Sequence, residues 1–137
     1  MSALLETEDR PKIGITIGDV NGIGIEVIMK TFMDARMLQT CIPVIYGSSK
    51  VVSYHRKALN LNEFNYNQIR FIIEANNKKV NLVNCWEEEI KIDLGKPNPA
   101  MGKYALKSLQ AASKDLLDKK IDAVVTAPVD KKSMQGD

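Results

Sequence analysis

The sequence predicts an α/β fold with a mainly parallel sheet and flanking helices. Three observations carry this reading. Short apolar runs rich in β-branched residues recur along the chain, as in KIGITIG, IPVIYG and IDAVV. The stretches between several of them place apolar residues at spacings of three and four, the mark of an amphipathic helix. Strands alternating with helices in this way favour parallel pairing through helical crossovers. The size and composition agree: 137 residues, 45% hydrophobic and 26% charged, suit one soluble α/β unit.

The elements follow in order. Residues 1–12 are expected to form a mobile leader ending near Pro11, with the α/β body over 13–137. Lys12–Gly18 reads as a strand because Ile13, Ile15 and Ile17 alternate with smaller or polar residues. A glycine-containing loop then leads into a helix expected to reach about Met37, whose apolar face is Ile25, Ile28, Met29 and Phe32. Ile42–Gly47 is a second strand. Ser48 or Ser49 can cap a helix over Val51–Leu59, with Val51, Val52, Tyr54 and Ala58 available for packing. After an Asn-rich connection, strands are expected over Arg70–Glu74, Val80–Trp86 and Ile90–Gly95. The two prolines and two glycines of GKPNPAMG make a loop. The strongest helix spans Lys103–Leu117, with Tyr104, Leu106, Leu109, Ala112, Leu116 and Leu117 along one side. A last strand, Ile121–Val125, carries a flank that needs cover, from more chain or from a partner.

Several function classes drop out. With 19 basic and 17 acidic side chains, the net charge is only +2, whereas a nucleic-acid binder concentrates basic charge in a patch. No run approaches the roughly 18 apolar residues of a membrane span. The acidic start lacks a signal-peptide pattern, so a cytoplasmic location is expected. Cys41 and Cys85 lack metal or redox spacing, and His55 is the sole histidine, so no histidine-based metal site is expected within this chain.

Two loops carry the chemistry. Both directly follow strands, and open α/β sheets bind ligands beyond strand carboxyl ends. The first runs from Gly18 to Glu26 and offers Gly18, Asp19, Asn21, Gly22 and Gly24. Glycines permit close backbone approach, and helix-start amides attract anions. The loop lacks both the full dinucleotide fingerprint and the phosphate-loop spacing. Its other reading is a tight strand-to-helix crossover. The second loop is TAPVDKK, where Thr126 offers a hydroxyl and Lys131 or Lys132 a point charge for phosphate or carboxylate. A structural turn bearing surface lysines is the alternative. Trp86 and Tyr104 read as packing residues.

The ordered segments PKIGITIGDVNGIGIEVIMKTF, IPVIYGSSKV, NPAMGKYALKSLQAASKDL and IDAVVTAPVDKKSM resemble the N-terminal part of the 4-hydroxythreonine-4-phosphate dehydrogenase family. The resemblance runs from about Pro11 to the last residue and corresponds to less than half of such an enzyme. It implies two domains like those of isocitrate and isopropylmalate dehydrogenases, of which this chain has part. It also implies NAD, a divalent metal (Zn, Mg, Co or Mn), a phosphorylated substrate and a homodimer when full length. The implied reaction oxidises 4-phosphooxy-threonine and decarboxylates the product to 3-amino-2-oxopropyl phosphate, within pyridoxal phosphate synthesis.

The family's Gly-His-Thr-Glu segment and metal-binding histidines follow later than Asp137, so no catalytic or metal residue is assignable in this chain. The family's PVHK or PVNK stands here as Pro128-Val129-Asp130-Lys131, and its PAGIGPE as Val20 to Glu26. Related enzymes take other phosphorylated hydroxy acids, such as threonate phosphates. A non-catalytic α/β binding module is the rival from another class, and a phosphate acyltransferase of related fold a third reading.

Overall fold

In the computed structural model, which describes residues 10–128, five parallel strands form one sheet in the order β3-β4-β2-β1-β5. The strands are β1 (Lys12–Thr16), β2 (Ile42–Gly47), β3 (Asn67–Ile69), β4 (Asn81–Asn84) and β5 (Ala123–Thr126). The helices are α1 (Gly24–Phe32), α2 (Met37–Thr40), α3 (Ser49–Ala58) and α4 (Gly102–Leu117). Arg10 and Pro11, at the end of the expected leader, are anchored. The Arg10 guanidinium donates to the Leu38 and Asn77 carbonyls, and the Pro11 carbonyl accepts from the Ile42 amide at 2.8 Å.

β2 is buried along its whole length because both its faces are covered. On one face Ile15, Ile17 and Ile45 pack with Ile25, Ile28 and Met29 of α1 and with Val51 and Val52 of α3. On the other, Val44 and Tyr46 pack with Ala112 of α4 and with Ile69, Ile72 and Ile121. Trp86 and Tyr104 are buried against each other, their ring centroids 4.8 Å apart. Ser48 caps α3, accepting from the Lys50 amide at 3.2 Å.

Several boundaries differ from the sequence reading, each for a physical reason. The first helix stops at Phe32, and 37–40 is a separate turn of helix. Between them the Asp34 carboxylate takes the Arg36 amide at 3.0 Å, a side-chain competitor for backbone bonding. The strand expected over Arg70–Glu74 lies earlier, at Asn67–Ile69, and Ile72–Glu74 is a 3₁₀ turn. Glu74 turns back on its own segment, accepting from the Arg70 and Phe71 amides at 3.1 and 2.8 Å. That leaves Phe71 and Ile73 exposed. Ile90–Gly95 is not a strand, because its backbone bonds instead to Asn21 on the glycine loop.

α4 buries Tyr104 and a row of small residues, and leaves most of its leucines outside. Gly102, Tyr104, Ala105, Ser108 and Ala112 face inward, while Leu106, Leu116 and Leu117 are exposed. The cause is close approach to the sheet. The Ser108 hydroxyl donates to the Tyr46 carbonyl and accepts from the Ile17 amide at 3.3 Å, and a leucine there would hold the helix away. In α3, likewise, Tyr54 is exposed and His55 takes the buried position. Among the described residues no helix is long and apolar enough to cross a membrane.

Candidate functional site

The loop after β1 lies beside the described start of the second loop, Thr126 to Pro128. β1 pairs with β5 in parallel, with Thr16 opposite Thr126, so both chains leave the sheet at the same end. The pairing continues past the strands. The Ala127 amide donates to the Thr16 carbonyl at 3.1 Å, and the Asp19 amide to the Pro128 carbonyl at 3.0 Å. Gly18 makes this possible. Its φ of +70° lies in the left-handed region, and a Cβ there would run into the Pro128 carbonyl. Gly24, the first residue of α1, needs its missing side chain for a different reason: a Cβ would sit 2.8 Å from the Ala127 Cβ and 3.2 Å from the Ile17 carbonyl. Gly22 is under neither constraint. Its nearest hypothetical contact is the Asp19 Cβ at 3.3 Å.

The polar residues of the loop divide by role. Asp19 shapes the turn: its Oδ1 accepts from the Asn21 amide, and its carbonyl from the Gly22 amide, each at 3.0 Å. Asn21, 1% exposed, holds the 93–96 segment rather than facing an open cleft. Its Oδ1 accepts from the Asp93 amide at 2.8 Å, and its Nδ2 donates to the Lys96 carbonyl at 3.2 Å. Its own carbonyl accepts from the Gly95 amide at 2.8 Å. From the opposite side, His55 of α3 reaches the Val20 carbonyl through Nε2 at 2.7 Å. Burial lowers the His55 pKa, opposed by that bond and by the negative charges of Glu26 and Asp19.

Thr126 is exposed at the end of β5. It borders a groove of about 450 Å³ between α1 and β5, lined mainly by apolar groups including Ile13, Val27, Phe32 and Val125. Lys131, its neighbour Lys132 and Asp130 lie outside the described residues. The first turn of α1 receives no side-chain cap, so its leading amides keep the bonding capacity of a helix start. Among the described residues no three His, Cys, Asp or Glu side chains gather as a metal cluster, and the one histidine is engaged with Val20. A metal does not fit this set. Nothing in the loop supplies the dinucleotide fingerprint either.

Sequence reading missed His55 and the 93–96 segment as partners of the loop. His55 follows Val51 and Val52 on the same helical face, which is a readable signal for burial. The tie between Asn21 and Asp93 spans 72 positions and leaves no local mark.

Comparison with known proteins places this architecture. The family model described as pyridoxal phosphate biosynthetic protein PdxA matches residues 39–137. Over 130 residues the chain is 45% identical to the 4-hydroxythreonine-4-phosphate dehydrogenase of Bacteroides thetaiotaomicron, covering 95% of this chain and 35% of that one. A Clostridium botulinum protein named "Putative D-threonate 4-phosphate dehydrogenase" is 30% identical over 132 residues, covering 93% and 39%. Among solved structures, 4-hydroxythreonine-4-phosphate dehydrogenase from Burkholderia phymatum superposes with a TM-score of 0.83 at 26% identity. That match covers 92% of this chain and 38% of that one. The enzyme of that name from Klebsiella pneumoniae, at 23% identity and a TM-score of 0.74, shares the fold. The chain thus spans little more than a third of the length of these relatives. It belongs to the PdxA family of 4-hydroxythreonine-4-phosphate dehydrogenases.

Proposed function

We propose that this chain is the N-terminal portion of an NAD- and divalent-metal-dependent dehydrogenase that oxidises and decarboxylates 4-phosphooxy-threonine in pyridoxal phosphate synthesis. The observation that carries this reading is the 45% identity to the Bacteroides thetaiotaomicron enzyme across 95% of the chain. In this reading the chain contributes one wall of a substrate cleft of isocitrate dehydrogenase-like architecture. Metal ligands and the hydride-transfer machinery come from sequence corresponding to the remainder of the relatives. The full protein works in the cytoplasm as a homodimer.

The role of this wall is to receive the substrate phosphate. Thr126 offers a hydroxyl, the first turn of α1 offers uncapped amides, and Lys131 supplies the charge. Gly18 and Gly24 let the loop after β1 close against Ala127 and Pro128, which leaves Thr126 and the start of α1 at one end of the sheet.

A second reading keeps the fold and changes the substrate to D-threonate 4-phosphate, favoured by the Clostridium botulinum relative at 30% identity. One chimera tests both. Residues 11–137 replace the matching segment of the Bacteroides thetaiotaomicron enzyme, and NADH formation is followed with each substrate and a divalent metal. Turnover of 4-phosphooxy-threonine above D-threonate 4-phosphate is expected. A reversed preference selects the second reading, and a folded dimer inactive on both overturns the proposal. The 137-residue chain alone is expected to give no metal-dependent NADH. In the chimera, Lys131→Met should raise KM more than it lowers kcat, and an unchanged KM removes Lys131 from the phosphate site.

A further inference from the structure

The glycine loop is held by a buried polar group that no sequence motif marks. His55 is 1% exposed and Val20 is fully buried, yet the Val20 carbonyl points at the imidazole with a 2.7 Å contact to Nε2. A carbonyl oxygen only accepts, so the proton of this bond resides on Nε2. The next residue, Asn21, carries the bonds to Asp93, Gly95 and Lys96. A contact on the Val20 carbonyl fixes the peptide plane that joins Val20 to Asn21, and so aims the Asn21 amide and side chain.

We propose that His55 is a positioning residue: through the Val20 carbonyl it sets the orientation of Asn21 and thereby docks the 93–96 segment onto the glycine loop. The helix α3, the loop after β1 and the 93–96 segment then behave as one unit at the carboxyl end of the sheet. The histidine touches no reacting group in this scheme. Its bearing on catalysis rests on the reading of Gly18–Gly24 as the substrate-facing loop, while the docking itself does not.

The test therefore uses no substrate. In the 137-residue chain, the ring nitrogens of His55 are examined by NMR, and amide exchange is compared for wild type, His55→Leu and His55→Gln. The Nε2–H tautomer is expected, with its proton slow to exchange. In His55→Leu the Asp93 and Gly95 amides, whose acceptors are on Asn21, should exchange roughly five- to tenfold faster relative to β1 and β2, matching the loss of about one buried hydrogen bond. His55→Gln, which keeps a terminal N–H donor, should restore most of the protection. An Nδ1–H tautomer overturns the proposal, as does acceleration spread evenly over the sheet or a glutamine variant no better than leucine. If His55→Leu does not fold, the tautomer and the glutamine variant still decide. A failure of the chimera assay would leave these readouts standing, and their failure would leave that assay standing.

Discussion

Gly24 and Ala127 meet across the ends of β1 and β5 so closely that a Cβ on Gly24 would stand 2.8 Å from the Ala127 methyl. The start of α1 therefore rests directly on the chain leaving β5. This contact leaves no room between the two segments, and the Asp19 amide bond to the Pro128 carbonyl holds them together. It also separates the glycines by function, which gives the first prediction.

Gly18→Ala and Gly24→Ala should both destabilise strongly, whereas Gly22→Ala should cost no more than about 1 kcal/mol. At Gly18 the left-handed φ and the Pro128 carbonyl act together, for an expected loss above about 2 kcal/mol. At Gly24 the obstruction is chiefly one methyl, so Ala127→Gly should recover part of the loss in the double variant. Urea unfolding of the five variants, the Ala127→Gly single included, measures this, and strict additivity of Gly24→Ala with Ala127→Gly would refute the contact as the cause.

Asn21→Ala should cost roughly 1–3 kcal/mol, because the Asp93 amide and Lys96 carbonyl lose a partly buried partner. The damage should be local. Limited proteolysis is expected to open the chain within 90–98 before the sheet is attacked, and cleavage elsewhere first would contradict the docking role of Asn21.

Stability should fall as pH drops below the ordinary histidine value of 6.5. Burial lowers the folded pKa of His55 below that value, so in acid the unfolded chain takes up a proton that the folded chain resists. The contribution is fully present above pH 6.5 and is lost as pH falls through the folded pKa, with a slope of up to about 1.4 kcal/mol per pH unit. His55→Gln should flatten this part of the profile. An identical slope in that variant would assign it to carboxylates instead.

Both thiols should resist alkylation in the folded chain. Burial pushes Cys85 up to about 12, helped by the negative charge of Asp115, and raises Cys41 against the opposing charge of Arg10. Thiolate is the reactive form. Iodoacetamide at neutral pH should label neither until denaturant is added, and rapid native labelling of Cys85 would show its environment to be more open.

By itself the sequence determined the class of fold, most of the strands, the long helix α4 and the two loops that follow β1 and β5. These are local properties, carried by apolar spacing and by glycine and proline within a few residues of one another. Only the tertiary structure decided which strands are neighbours, and so that Thr16 faces Thr126 and the two loops share one end of the sheet. The same holds for the roles within them. Gly18 and Gly24 read alike in sequence, but one answers to a backbone angle and the other to a methyl group 103 positions away. Ser108 displaced the leucines from the inner face of α4 because the helix lies close enough to bond Tyr46 and Ile17. His55 and Asn21 acquired their partners from α3 and from 93–96 in the same way. Residue spacing encodes which side of an element is apolar, whereas a hydrogen bond between distant segments exists only once packing has brought donor and acceptor within about 3 Å.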